Sequence, residues 1–113
     1  MFYLLLKLDL CYEKSKEVIK KCSTPHGLFA SAGKDGYNAV WSRDSVISFL
    51  GASLVQDDFF KKTFAQSLIT LAGHQSKLGQ IPNAVDKFSK RKGHVEYQSI
   101  DSTLWFIIGE YIY

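Results

Sequence analysis

The sequence has little of what staples a small domain or binds a metal. It carries two cysteines, Cys11 and Cys22, in 113 residues. On one helix they lie about 16 Å apart along the axis, whereas a disulfide needs α-carbons within about 7 Å. They therefore do not bridge each other, and two buried thiols in a reducing compartment are expected. His26, His74 and His94 are scattered, and no cysteine stands at metal-ligand spacing from them. Charge of one sign is also scarce. The net charge is +3 with a pI near 8.8, and the positive excess sits in Lys14 to Lys21 and Lys87 to Lys92. That reads as solvated surface, not a nucleic-acid patch. A long uninterrupted apolar run is missing too. The opening MFYLLLKLDLCYEK is broken by Lys7 and Asp9, with no basic n-region and no small-residue cleavage site. No signal peptide, membrane span or membrane partner is expected, and a cytoplasmic location follows as the default.

What is present is globular. With 46% hydrophobic and 22% charged residues the chain is neither disordered nor fibrous. Its length allows one small domain at most.

Helical periodicity dominates. Residues 2–22 place Leu4, Leu5, Leu8, Cys11, Tyr12, Ser15, Val18, Ile19 and Cys22 on one stripe of period 3.6, with lysines and glutamates elsewhere. This predicts an amphipathic helix covering one side of a core. Ser23-Thr24-Pro25 stops it. Residues 23–41 read as a structured loop, in which Gly27, Gly33 and Gly36 permit turns with positive φ. A second helix is predicted over 43–56, with Ser42 as N-cap and Asp44 in the first turn. Val46, Ile47, Phe49, Leu50, Leu54 and Val55 surround it, so it should be buried on every side. Asp57-Asp58 opens a third, amphipathic helix to about Ala72, ended by Gly73. Residues 74–100 form a long connection, and a fourth apolar helix runs from near Asp101 to the end.

The organising stretch is Gly36 to Gln56. Gly36 to Asp44 gathers aromatic, guanidinium and carboxylate groups, and Ser45 to Val55 then carries no charge. A polar cluster thus sits at the mouth of an apolar helix. Arg43 and Asp44 open the second helix as Asp101 opens the fourth. If those two helices run parallel, all three residues lie at one end.

Three motifs resemble the six-hairpin glycosidases. They are Gly27-Leu28-Phe29-Ala30-Ser31 with Tyr37 through Trp41-Ser42-Arg43-Asp44-Ser45; Gly79-Gln80-Ile81-Pro82-Asn83; and Tyr97-Gln98-Ser99-Ile100-Asp101-Ser102-Thr103-Leu104-Trp105-Phe106. The likeness is strongest to glucoamylase-like and amylo-α-1,6-glucosidase (glycogen-debranching) enzymes and spans about residues 25 to 113.

The resemblance implies an all-α fold: the first two helical hairpins of an (α/α)6 toroid, with outer amphipathic and inner buried helices alternating. Residues 1–113 would then be a single partial domain, the N-terminal third, partnered by the remaining C-terminal part of the toroid. It implies an inverting glycoside hydrolase acting on an α-glucan or related oligosaccharide or polysaccharide. Asp101 would be the general acid, and a glutamate beyond these residues the base. Arg43 and Asp44 would bind sugar hydroxyls, with Tyr37, Trp41 and Trp105 offering aromatic faces. No metal or organic cofactor is implied.

The chemistry of these residues suits those roles. A hydroxyl both donates and accepts, so a guanidinium beside a carboxylate fixes its orientation. An inverting enzyme needs a protonated carboxyl at the leaving oxygen and a second carboxylate about 6.5–9.5 Å away. Asp101 would have to stay protonated near neutral pH, which burial among Trp105 and Tyr97 would promote. Plainer roles compete: Asp44 as a first-turn carboxylate, Asp101 as an N-cap, Trp105 as core. Two other classes compete with an active enzyme. One is a truncated, non-catalytic remnant or helical interaction module keeping part of a sugar site. The other is a terpene cyclase, which the lack of a D-D-x-x-D motif opposes, since Phe59-Phe60 follows Asp57-Asp58.

Overall fold

The computed structural model describes residues 1–33, 37–86 and 93–113. Gly36 and the basic run from Lys87 to Lys92 lie outside them.

Four helices form where the periodicity places them: α1 (Phe2–Cys22), α2 (Ser42–Ala52), α3 (Asp58–Ala72) and α4 (Asp101–Ile112), with a single 3-10 turn at Ser53–Val55 after α2. Asp57 caps α3 by accepting from the Phe59 amide, a side-chain oxygen satisfying one of the four orphan donors. Ser42 does not cap α2. It is the first helical residue, and the α2 N-cap is Trp41.

The all-α expectation is corrected by the connections. Residues 23–41 hold β1 (Ser23–Thr24), β2 (Gly27–Leu28) and β3 (Val40–Trp41), and the later connection holds β4 (Ala84–Asp86) and β5 (His94–Glu96). β1 and β2 make an antiparallel hairpin; β3, β4 and β5 make an antiparallel sheet in that order. Val40 pairs with Val85, and Val85 with Val95, so three valines line up across the sheet. The fold is therefore mixed α and β. Each strand is two or three residues long, too short for period-2 alternation to stand out from a loop. Of the glycines expected to turn with positive φ, Gly27 does so at 121°, and Gly79 adopts 87° as well.

The core has two parts. Val46, Phe49 and Ala52 of α2 meet Phe60, Phe64 and Leu68 of α3, with Trp105, Phe106 and Ile112 of α4 against them. Phe49 and Phe64 stack at 3.8 Å between centroids, 6° from parallel. Under the sheet, Val40, Leu71, Ile81 and Val85 form the second part, and Phe106 touches both.

The alternation of outer and inner helices is not what the structure shows. α1 buries no residue; only Ile19 near its C-terminal end packs on the core. Cys11 is exposed and Cys22 half-buried, both free, so two buried thiols were the wrong expectation. α2 leaves Ile47 and Leu50 exposed, and α4 leaves Leu104, Ile107 and Tyr111 exposed. An apolar face all round predicts burial only when neighbours exist on every side, and here each of these helices meets neighbours on one side. Among the described residues no helix is long and apolar enough to cross a membrane.

Candidate functional site

The site is built where α2 and α4 start. α2 follows β3 directly, so the sheet fixes the direction in which the helix leaves. The Ser42 amide donates to the Asn83 carbonyl at 3.0 Å, and its buried hydroxyl donates to the Ser102 carbonyl at 2.8 Å. Ser102 is buried too, and its hydroxyl reaches the Ser99 carbonyl at 2.9 Å. The Gly79-to-Asn83 loop completes the tie. Gln80 Nε2 donates to the Tyr97 carbonyl at 2.6 Å. The Ile81 amide donates to Thr103 Oγ1 at 3.1 Å, and Asn83 Oδ1 accepts from the Gln98 amide at 3.1 Å. Two helix starts are thus bound to one loop by hydrogen bonds, most of them buried or part-buried. Each is worth about 1 kcal/mol net, and leaving one partner unsatisfied costs about 1–3 kcal/mol.

On this base Arg43 and Asp101 face each other. The guanidinium Nη1 donates to Asp101 Oδ2 at 3.1 Å. The Trp105 indole N–H donates to the same oxygen at 3.2 Å, and the Ser99 hydroxyl donates to Oδ1. The carboxyl is held below the usual aspartate range: the Ser99 hydrogen bond lowers it most, burial opposes that, and the Arg43 charge and then Trp105 add smaller lowering effects. Asp101 is half-exposed, so burial does not hold it protonated as the sequence suggested; the arrangement favours the carboxylate. Tyr97 turns away and donates its hydroxyl to the His74 carbonyl. Asp101 is not an N-cap either: that position is Ile100.

Beside the pair is an open pocket of about 290 Å³ lined by Ala30, Tyr37, Trp41, Arg43 and Asp44. Its volume is at the small end of ligand pockets, which run about 300–1,000 Å³. Tyr37 meets Trp41 edge to face at 6.1 Å and 81°, so two nearly perpendicular rings share the pocket lining with two charged side chains. The structure thus brings Tyr37, Trp41, Arg43 and Asp44 together and joins Asp101 to them through Arg43. Trp105 does not line the pocket: its ring packs against the core and its N–H serves Asp101. Ser99 was not singled out from the sequence, although a serine two residues before an aspartate at a helix start was the available signal. No group of three or more metal-ligating side chains exists among the described residues.

These elements coincide with a known family. The family model for amylo-alpha-1,6-glucosidase matches residues 13–113. The chain belongs to the amylo-alpha-1,6-glucosidase family. The match covers all three motifs, the sheet that carries β3 and every residue of the pocket and the Asp101 cluster. It leaves out the first half of α1. No curated protein and no solved structure is similar enough to match. The family relation makes the chain glycosidase-related and implies a carbohydrate substrate.

Proposed function

We propose that this chain supplies the sugar-binding and general-acid side of an inverting glycosidase site for α-glucan or a related oligosaccharide. The observation that carries the reading is Arg43, which lines the pocket and contacts the Asp101 carboxylate at 3.1 Å. A sugar ring seated against Tyr37 and Trp41 would offer its hydroxyls to Arg43 and Asp44, donor beside acceptor. Its glycosidic oxygen would face Asp101, which gives its proton to the leaving group. Water is the nucleophile, and its base is a glutamate outside these residues, contributed by the rest of the family domain. No cofactor enters the reaction. A reducing, cytoplasmic setting fits the two free cysteines.

One observation favours a second reading. The donors around Asp101 favour its charged form, which suits a binding carboxylate. In that case the chain is a non-catalytic remnant that keeps a sugar half-site.

Glucose release from maltose, isomaltose and limit dextrin separates the two, measured on the protein and on Asp101→Asn. A loss of about 10²–10⁴-fold with sugar binding kept assigns the acid to Asp101. Sugar binding without hydrolysis in the wild type supports the remnant. Neither binding nor hydrolysis of any glycan sinks both readings.

A further inference from the structure

A general acid must carry a proton, yet Asp101 has all its neighbours donating to it. Oδ1 takes the Ser99 hydroxyl, and Oδ2 takes both the Arg43 guanidinium and the Trp105 indole N–H. The three donors differ in how freely they leave. Trp105 is held by its packing against the core. Ser99 is a short side chain two residues away, in a segment bound to Ser102 through the Ser99 carbonyl. Arg43 is the least enclosed, with a side chain 60% exposed, and it alone of the three also lines the pocket. It is the charged group that faces Asp101 from α2 among the described residues. From α4 and the loop before it, Asp101 meets the neutral Trp105 and Ser99.

We propose that Arg43 couples sugar binding to protonation of Asp101: the guanidinium exchanges the carboxylate for sugar hydroxyls, and Asp101 takes one proton from solvent on Oδ2. This rests on the sugar-binding reading of the pocket. Ser99 and Trp105 are positioning residues. They hold the carboxyl in place while Arg43 is away. Removing a full positive charge from 3.1 Å raises the carboxyl's proton affinity, since an opposite charge that close favours the carboxylate. The acid is thereby loaded only when substrate is present. By linkage, a sugar that raises the proton affinity of Asp101 binds more tightly as pH falls.

The test is calorimetric titration of the protein with isomaltose and with maltose, each in two buffers of different ionisation enthalpy. Proton uptake on sugar binding is expected, largest at acid pH between the free and the sugar-bound Asp101 midpoints, with affinity rising as pH falls towards that window. Asp101→Asn should bind with no uptake and no such pH dependence. Binding heat independent of buffer in the wild type overturns the coupling and leaves the pocket reading standing. Uptake that persists in Asp101→Asn also overturns it. No binding of either sugar overturns the pocket reading and the coupling with it. Carboxyl carbon NMR of ¹³C-aspartate-labelled protein gives a readout without ligand. Arg43→Met should raise the Asp101 midpoint, and sugar should then move it no further. An unmoved midpoint in Arg43→Met overturns the proposal.

Discussion

A methyl group on Gly27 has no room. Its β-carbon would lie 2.6 Å from Ser67 Oγ and 2.7 Å from Ser67 Cα, on a backbone already at φ 121°. Ser67 is buried and accepts from the Leu28 amide at 2.8 Å, so the β1–β2 hairpin is pinned to α3 at this point. Gly27→Ala should cost about 3 kcal/mol or more by urea denaturation, from overpacking and left-handed strain together. Ser42→Ala removes a hydroxyl that the Ser102 carbonyl needs. A loss of about 1–2 kcal/mol is expected, together with a drop in sugar affinity because Arg43 is the next residue. Asp101 adds a pH signature. Its folded midpoint is depressed, so its stabilising contribution is present above the usual aspartate range. That contribution is lost as pH falls through its own lower midpoint. Unfolding free energy measured against pH should therefore fall less steeply on the acid side in Asp101→Asn than in the wild type.

Two glycines separate the packed and open faces of the helices. Gly109 on α4 is buried, and a β-carbon there would meet Val46 at 3.0 Å, Leu68 at 3.1 Å and Phe64 at 3.2 Å. Those three side chains come from α2 and α3, so Gly109 sets how closely α4 approaches them. Gly109→Ala should cost about 1–3 kcal/mol. Gly51 on α2 is the opposite case, since a β-carbon there meets nothing within 4 Å. Gly51→Ala should add about 0.5–1 kcal/mol, by helix propensity and a less free unfolded chain. If thermal melts show a loss instead, that face of α2 is covered. The close neighbour is at Gly109 and not at Gly51. A glycine in an apolar helix shows that something is close or nothing is; the pattern alone does not choose.

The molecule as a whole is more extended than its length requires. The radius of gyration is 15.0 Å with extents of 55 × 32 × 23 Å, against about 13 Å for a compact domain of this size. The cause is α1, which buries nothing and stands out from the body with Leu4, Leu5, Leu8 and Tyr12 more than half exposed. Together with Ile47 on α2 and Leu104 and Ile107 on α4, this leaves more apolar surface in water than a monomer ordinarily carries. The 113-residue chain should bind a hydrophobic dye and grow in sedimentation coefficient with concentration. Ile107→Glu, at a position that is already exposed, should reduce both without loss of stability.

The sequence by itself determined the helices, because each one's apolar spacing and end signals act within a few residues: Asp57 before α3, Gly73 after it, Pro25 after α1. It also determined the family, through three motifs whose residues stand in order. It did not show the sheet, since Val40 lies far in the chain from Val85 and Val95 and each strand is too short to carry a pattern. Nor did it show the chemistry at Asp101. Proton affinity depends on which donors arrive from other elements, and Arg43 comes from 58 residues away. The same holds for burial. Periodicity says which faces are apolar, but only the packing of α2, α3 and α4 decides which of them meet a neighbour, because contact is a property of the assembled elements and not of any one of them.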